Sequence, residues 1–289
     1  MQMDQKKRLR KLLDEEAFIP LPGVYDCLSA KIAEEAGFRA LFLSGGGLAV
    51  CRMGRPDIGF LNLNEFGEAI RHIVATVNVP LLADADNGFG NAIHSADTGR
   101  MYEQLGASGI QIDDKILPSL KPDSNEIVPW DEMEAKLRAL RDAVSGDFVI
   151  IFRTVANLYG MGIEEAVKRI NAAADCGADY VYVDGIKSME ELEQVSREAK
   201  AKLLVNLNEK GFCGGVPIET IKSLNYRIGL FPISTMLAAA QGMIGVMEAL
   251  KRDGSTLSAR ELMCNPPVVH NMMGLKSLME TYSGYYENT

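Results

Sequence analysis

Two short apolar runs, Pro80–Leu82 and Gly109–Ile112, are each followed by a pair of carboxylates: Asp84 with Asp86, and Asp113 with Asp114. On an extended backbone, side chains two residues apart point the same way, so Asp84 and Asp86 are expected side by side. Carboxylates held together repel unless something positive sits between them. A hard divalent cation such as Mg2+, or Mn2+ in its place, answers that need, because it takes oxygen ligands and keeps several waters. Asp84, Asp86 and Asp113 are therefore the candidate metal residues. Ser44, Arg153, Asp184 and Asn206 also end apolar runs. Arg153 can grip a carboxylate with two parallel hydrogen bonds, either a substrate's or a neighbouring aspartate's. Ser44-Gly45-Gly46-Gly47 offers a hydroxyl and uncovered backbone N–H groups, which suit a carboxylate or phosphoryl oxygen but equally a turn. Asp57 lies in GRPDIG, in the loop after the second apolar run. Any one of these residues could instead be a helix cap or a turn residue. Seven of them ending successive runs point to a shared site.

Positioning them calls for strands and helices in alternation. The apolar runs Phe18–Val24, Ala40–Leu43, Pro80–Leu82, Gly109–Ile112, Phe148–Phe152, Tyr180–Val183, Leu203–Val205 and Ile228–Phe231 read as strands. Between most of them lie segments of helical period, such as Leu63–Val77 with Phe66, Ile70, Ile73 and Val77 on one face. Alternation of this kind predicts parallel strands. Eight repeats in 289 residues favour one (β/α)8 barrel of TIM type, in which residues past the C-terminal strand ends face the active site. One domain over residues 1–289 is expected, with an N-terminal helix and a C-terminal helical extension. The stretch Leu117–Trp130 is rich in Pro, Ser and Asp and breaks the rhythm, as functional lids or floppy connections do.

Composition narrows the function classes. A net charge of −9 argues against nucleic acid or an anionic membrane as partner. There is no apolar run long enough to span a bilayer, and the charged N-terminus does not read as a signal peptide. Five scattered cysteines without a CxxC pair suit reduced thiols in a cytoplasm. Three separated histidines argue against a His-based metal site or triad. No GxGxxG follows a strand, so a dinucleotide site has little support.

The runs LPGVYDCLSAKIAEEAGFRALFLSGGG, GRPDIGF, ADADNGFGN and IDDK together resemble the isocitrate lyase/phosphoenolpyruvate mutase superfamily, over Pro20 to Met236. The resemblance implies a (β/α)8 barrel whose last barrel helix is swapped between subunits, in dimers that commonly pair into tetramers. It implies a Mg2+-dependent enzyme working through a pyruvate-type enolate. Carried over by position, Asp84, Asp86 and Asp113 match the metal-site acids, the third being commonly Glu. Ser44, Gly45, Gly46 and Arg153 match substrate-binding positions. Asp57 matches the aspartate of the second-strand loop and is taken with the catalytic group. Asp184 falls where many lyases have Glu, and Asn206 on a substrate-contacting Asn.

The chain departs from the pattern at its gating loop. The carbon–carbon lyases carry Lys-Lys/Arg-Cys-Gly-His there, and the mutases Lys-x-Asn-Ser; this chain has Ser119-Leu120-Lys121-Pro122-Asp123. Lys121 stands on the cysteine position by ungapped alignment and is the candidate acid/base, ahead of Asp123 and Tyr159. The preferred reading is a carbon–carbon lyase or decarboxylase acting on a small 2-oxo or 2-hydroxy di- or tricarboxylate. A P–C bond enzyme, either phosphonopyruvate hydrolase-like or mutase-like, is second, and a non-catalytic carboxylate-binding member is third.

Overall fold

The structure is a computed structural model that describes residues 4–118 and 126–285. Eight parallel strands close in sequence order: β1 (Ile19–Val24), β2 (Leu41–Leu43), β3 (Leu81–Asp84), β4 (Gly109–Asp113), β5 (Val149–Thr154), β6 (Tyr180–Val183), β7 (Lys202–Asn206) and β8 (Tyr226–Phe231). The ring is completed by β8 against β1, with Ile19 opposite Ile228 and Leu21 opposite Leu230. The expected barrel is thus present, with each strand within a few residues of its sequence-based bounds.

Around it run α1 (Gln5–Glu15), α2 (Cys27–Glu35), α3 (Gly45–Leu48), α4 (Leu63–Thr76), α5 (Ala92–Gln104), α6 (Trp130–Ala143), α7 (Ile163–Asp175), α8 (Met189–Glu198) and α9 (Ile218–Ser223). Local chemistry starts several of them. Asp26 and Ser29 cap α2 reciprocally: the Ser29 N–H donates to Asp26 at 2.7 Å, and the Asp26 N–H donates to Ser29 Oγ at 3.1 Å. Asn62 and Glu65 do the same for α4. The glycine run, read from sequence as uncovered N–H groups or equally a turn, is the helix α3. Ser44 caps it by accepting from the Gly47 N–H at 3.1 Å, and a π-helical turn, Ala49–Met53, continues it.

Strand alternation produces two cores. Outward residues such as Leu41, Leu81, Ile110, Ile112, Ile150 and Val181 meet the helices. Inward residues such as Leu21, Phe42, Leu82, Ile151, Tyr180 and Leu204 fill the barrel, and Leu9, Leu12 and Leu13 of α1 close its bottom. Arg10 fixes that plug, reaching Asp179 at 2.7 Å and the carbonyls of Gly146 and Phe148 at 3.0 and 3.1 Å.

Beyond β8 the pattern changes. Of the 20 residues of α10 (Ser234–Asp253), only Ala249 is buried, and none is buried in α11 (Pro266–Met272) or α12 (Leu275–Tyr282). Met243, Ile244, Met247, Leu278 and Met279 are all more than half exposed.

Candidate active site

Alternation also decides which side chains reach the barrel mouth. Ser44, Asp84, Arg153, Asp184 and Asn206 each follow an inward residue by two places: Phe42, Leu82, Ile151, Tyr182 and Leu204. All five line one cavity of about 290 Å3, together with Gly46, Asp57, Gln111, Lys115 and Asn208. Gly45 lies behind that wall, buried, where a Cβ would stand 2.8 Å from Asp84 Oδ2. At Gly46 a Cβ would stand 3.0 Å from Asp57 Oδ2, so the exposed Asp57 loop folds back over α3.

Asp113 and Arg153 are register partners on β4 and β5. The Arg153 guanidinium donates to Asp113 Oδ2 through Nε at 3.0 Å and through Nη2, while the Lys115 N–H donates to Oδ1 at 3.0 Å. Burial works against ionising Asp113, but Arg153 and Lys115 outweigh it and hold the carboxyl below its ordinary value. Arg153 thus serves a barrel aspartate, one of its two expected roles, while still lining the cavity.

Asp84 and Asp86 are buried, and among the described residues no Lys or Arg ion-pairs with either. Gln111, opposite Asp84 in the register, donates to its Oδ1 at 3.0 Å and accepts from Tyr182 Oη at 2.8 Å. Burial raises the Asp84 carboxyl, with Asp113 and Asp57 adding to the effect and Arg153 opposing it. Asp86 is raised further, first by burial and then by Asp84, Asp113 and Asp57. The backbone at Asp86 is not extended as the spacing argument assumed. Its φ is +45°, and Phe89 follows at +57°. Left-handed backbone at a residue with a side chain costs about 1–3 kcal/mol and persists where the surroundings enforce it. Here the Asp113 N–H donates to the Asp86 carbonyl at 2.8 Å, and the Asp86 N–H donates to Asp84 Oδ1 at 3.2 Å.

This donor set fits a divalent cation of the Mg2+ type. It holds buried carboxylates in excess of the cations that pair with them, and burial first, then the neighbouring acids, raises Asp84 and Asp86. Among the described residues, no three carboxylate, His or Cys side chains converge to enclose an ion. An ion held by one or two carboxylates and its own waters suits such a set.

Asp114, one residue on from Asp113, points outward. It accepts from Thr154 Oγ1 and the Val155 N–H at 2.8 Å each, and from Arg169 at 3.2 Å. Tyr159 packs against the outer core and is not among the cavity walls. Lys121 and Asp123 lie outside the described residues. Sequence reading missed Gln111, Tyr182, Lys115 and Asn208. Counting back two places from Asp113 and Asp184 reaches Gln111 and Tyr182, so strand parity was the signal for those two.

Buried acids, a paired arginine and amide groups gathered at the C-terminal mouth of a parallel eight-stranded barrel are the arrangement of a barrel enzyme's active site. The chain belongs to the phosphoenolpyruvate phosphomutase family, whose model matches residues 9–250. It is 31% identical over 286 residues to 2,3-dimethylmalate lyase of Eubacterium barkeri, covering 98% of this chain and 99% of that protein. Among solved structures, oxaloacetate acetylhydrolase in complex with 3,3-difluorooxalacetate superposes with a TM-score of 0.89 at 30% identity, covering 98% and 97% of the two chains. Phosphonopyruvate hydrolase in complex with oxalate and Mg2+ gives 0.89 at 28% identity, covering 99% and 100%.

Proposed function

We propose that this protein is a Mg2+-dependent carbon–carbon lyase, of the carboxy-lyase or oxo-acid-lyase type, that cleaves a small 2-oxo or 2-hydroxy di- or tricarboxylate through a pyruvate-type enolate. The observation that carries the reading is the excess of buried carboxylate at Asp84 and Asp86, with Asp84 lining the same cavity as Arg153, the partner of Asp113; Asp86 and Asp113 lie behind its walls. The relatives support it: all three named above act on small carboxylates by name, and one was solved with oxalate and Mg2+.

Asp84 and Asp86 would hold the ion, with Asp113 and Asp57 as outer charges. Bound there, Mg2+ would supply Lewis acidity toward developing negative charge on the substrate. The protein's own groups orient the substrate. Arg153 presents guanidinium N–H groups to a carboxylate. Ser44, whose oxygen accepts from Gly47, keeps its hydroxyl proton to donate, and Gly46 lets the substrate approach the backbone closely. Asp184 and Asn206, joined by an Asn206 Nδ2 donation at 3.4 Å, face the far end with Asn208. Decarboxylation needs no acid at the departing CO2. Cleaving a 2-hydroxy acid needs a base for the hydroxyl proton, and Lys121 is proposed for it.

We further propose that the exposed α10–α12 arm packs on a neighbouring subunit, exchanging the last barrel helix within a dimer, with two dimers forming a tetramer. The apolar residues Leu28 and Ile32, exposed on α2, offer a receiving face. The five cysteines are free thiols, which suits a cytoplasmic setting. No described helix is long and apolar enough to cross a membrane.

The test is an assay of pyruvate and oxalate release, with Mg2+ and with EDTA, across oxaloacetate, 2,3-dimethylmalate, methylisocitrate, citramalate and phosphonopyruvate. Mg2+-dependent cleavage of one of the carbon acids above the metal-only rate is expected. Release of phosphate from phosphonopyruvate alone would move the assignment to P–C chemistry. Oxalate binding without turnover of any substrate would make this a binding protein.

A further inference from the structure

The buried stripe of α6 consists of Met133, Lys136, Leu137 and Leu140, at helical spacing. Lys136 occupies a position where an apolar side chain would pack, and it is 1% exposed. A lysine buried to that degree needs partners for its charge. It has two among the described residues. One is Glu132, one turn earlier on α6, at 3.1 Å; Glu132 itself is half exposed. The other is the backbone carbonyl of Asn87, at 3.3 Å.

Asn87 directly follows Asp86 in the left-handed turn. Its side chain donates to the Lys115 carbonyl at 3.1 Å, tying the turn to the end of β4. Lys136 holds the same residue from the helix side. The turn contains Asp86 at φ +45°, Gly88 at +84° and Phe89 at +57°, a backbone that does not persist unaided. Placing a charged group at a core position breaks the local rule of α6, and such breaks are expected where a site must be supported.

We propose that Lys136 is a positioning residue for the metal: its ammonium pins the Asn87 carbonyl and so sets where the Asp86 carboxylate stands. Lys136 touches no substrate and acts only through the turn. The inference rests on the reading of Asp84 and Asp86 as metal residues. Partners one step removed from a metal ligand typically change affinity about 10- to 100-fold when lost.

The test uses Mn2+ as a spectroscopic stand-in, titrated into the full-length protein and followed by the EPR signal of free ion, without substrate. Lys136→Met is expected to keep its far-UV dichroism and weaken Mn2+ binding about 10- to 100-fold. Glu132→Gln, which leaves the Asn87 contact in place, is expected to bind within about twofold of wild type, a change too small to read as a lost support. A folded Lys136→Met with a lower melting temperature and unchanged Mn2+ affinity would reduce Lys136 to packing and overturn the inference. Should Lys136→Met not fold, Lys136→Gln takes its place: its shorter head falls short of Asn87 but can still bond Glu132, and the same two outcomes decide. Failure of the wild type to bind Mn2+ would overturn the metal reading itself, and this inference with it.

Discussion

Asp86→Ala removes a carboxyl that burial and three neighbouring acids already disfavour as a charge. Mg2+-dependent turnover is expected to fall by about 100-fold or more, beyond the loss typical of an outer-sphere partner. The melting temperature should hold or rise, because a repelling group is gone. Product release and a thermal melt on the same preparation check both halves. Tyr182→Phe deletes the hydroxyl donated to Gln111 at 2.8 Å and leaves a buried acceptor unmet. That should cost about 1–3 kcal/mol in urea unfolding. Sequence alone marked Asp84, Arg153, Asp184 and Asn206 because each is polar at the end of an apolar run. Gln111 and Tyr182 escaped because each sits inside a run, where a single polar or aromatic residue reads as part of the core. The geometry of Asp86 was not legible either: a positive φ at an aspartate is imposed by tertiary contacts, here from Asp113 and, in our proposal, Lys136.

At the scale of elements, strands and outer helices followed from periodicity, since burial against a common sheet imposes it. The glycine run did not: helix propensity argues against three glycines opening a helix, and only the Ser44 cap and close packing against Asp84 and Tyr25 make α3 intelligible. The plug α1 is held at its edge by Lys6, 2.7 Å from Glu103. Burial alone would raise the Glu103 carboxyl, but Lys6 and Ser145 more than offset it and lower the group. A lowered carboxyl contributes stability above its unfolded value, and that contribution is lost as pH falls through the folded one. Amide exchange in α1 should therefore accelerate as pH drops below the ordinary carboxylate range. Glu103→Gln should flatten that dependence, and exchange read by mass spectrometry at matched intrinsic rates decides it.

For the whole molecule, the barrel was legible and the destination of the last helices was not. Nothing in the sequence distinguishes a helix that returns to its own barrel from one that leaves it, because both need an apolar face. The exposed face of α10 predicts an assembly held by mass action. Sedimentation velocity should show dimers or tetramers, and the melting temperature should fall on serial dilution. A concentration-independent monomer with α10 intact would dismiss the exchange.

The plug at the bottom of the barrel has a consequence for traffic. With inward side chains such as Phe42, Tyr182 and Leu230 between the cavity and the leucines of α1, the described residues make the chamber a cul-de-sac: what arrives and what departs share one doorway. When a bond is broken inside, the fragment nearer the threshold must go before the one at the back. Departure is then ordered, and initial-rate kinetics would display it. The later-departing acid, in our proposal the one held by Arg153, should inhibit competitively against substrate, and its companion noncompetitively.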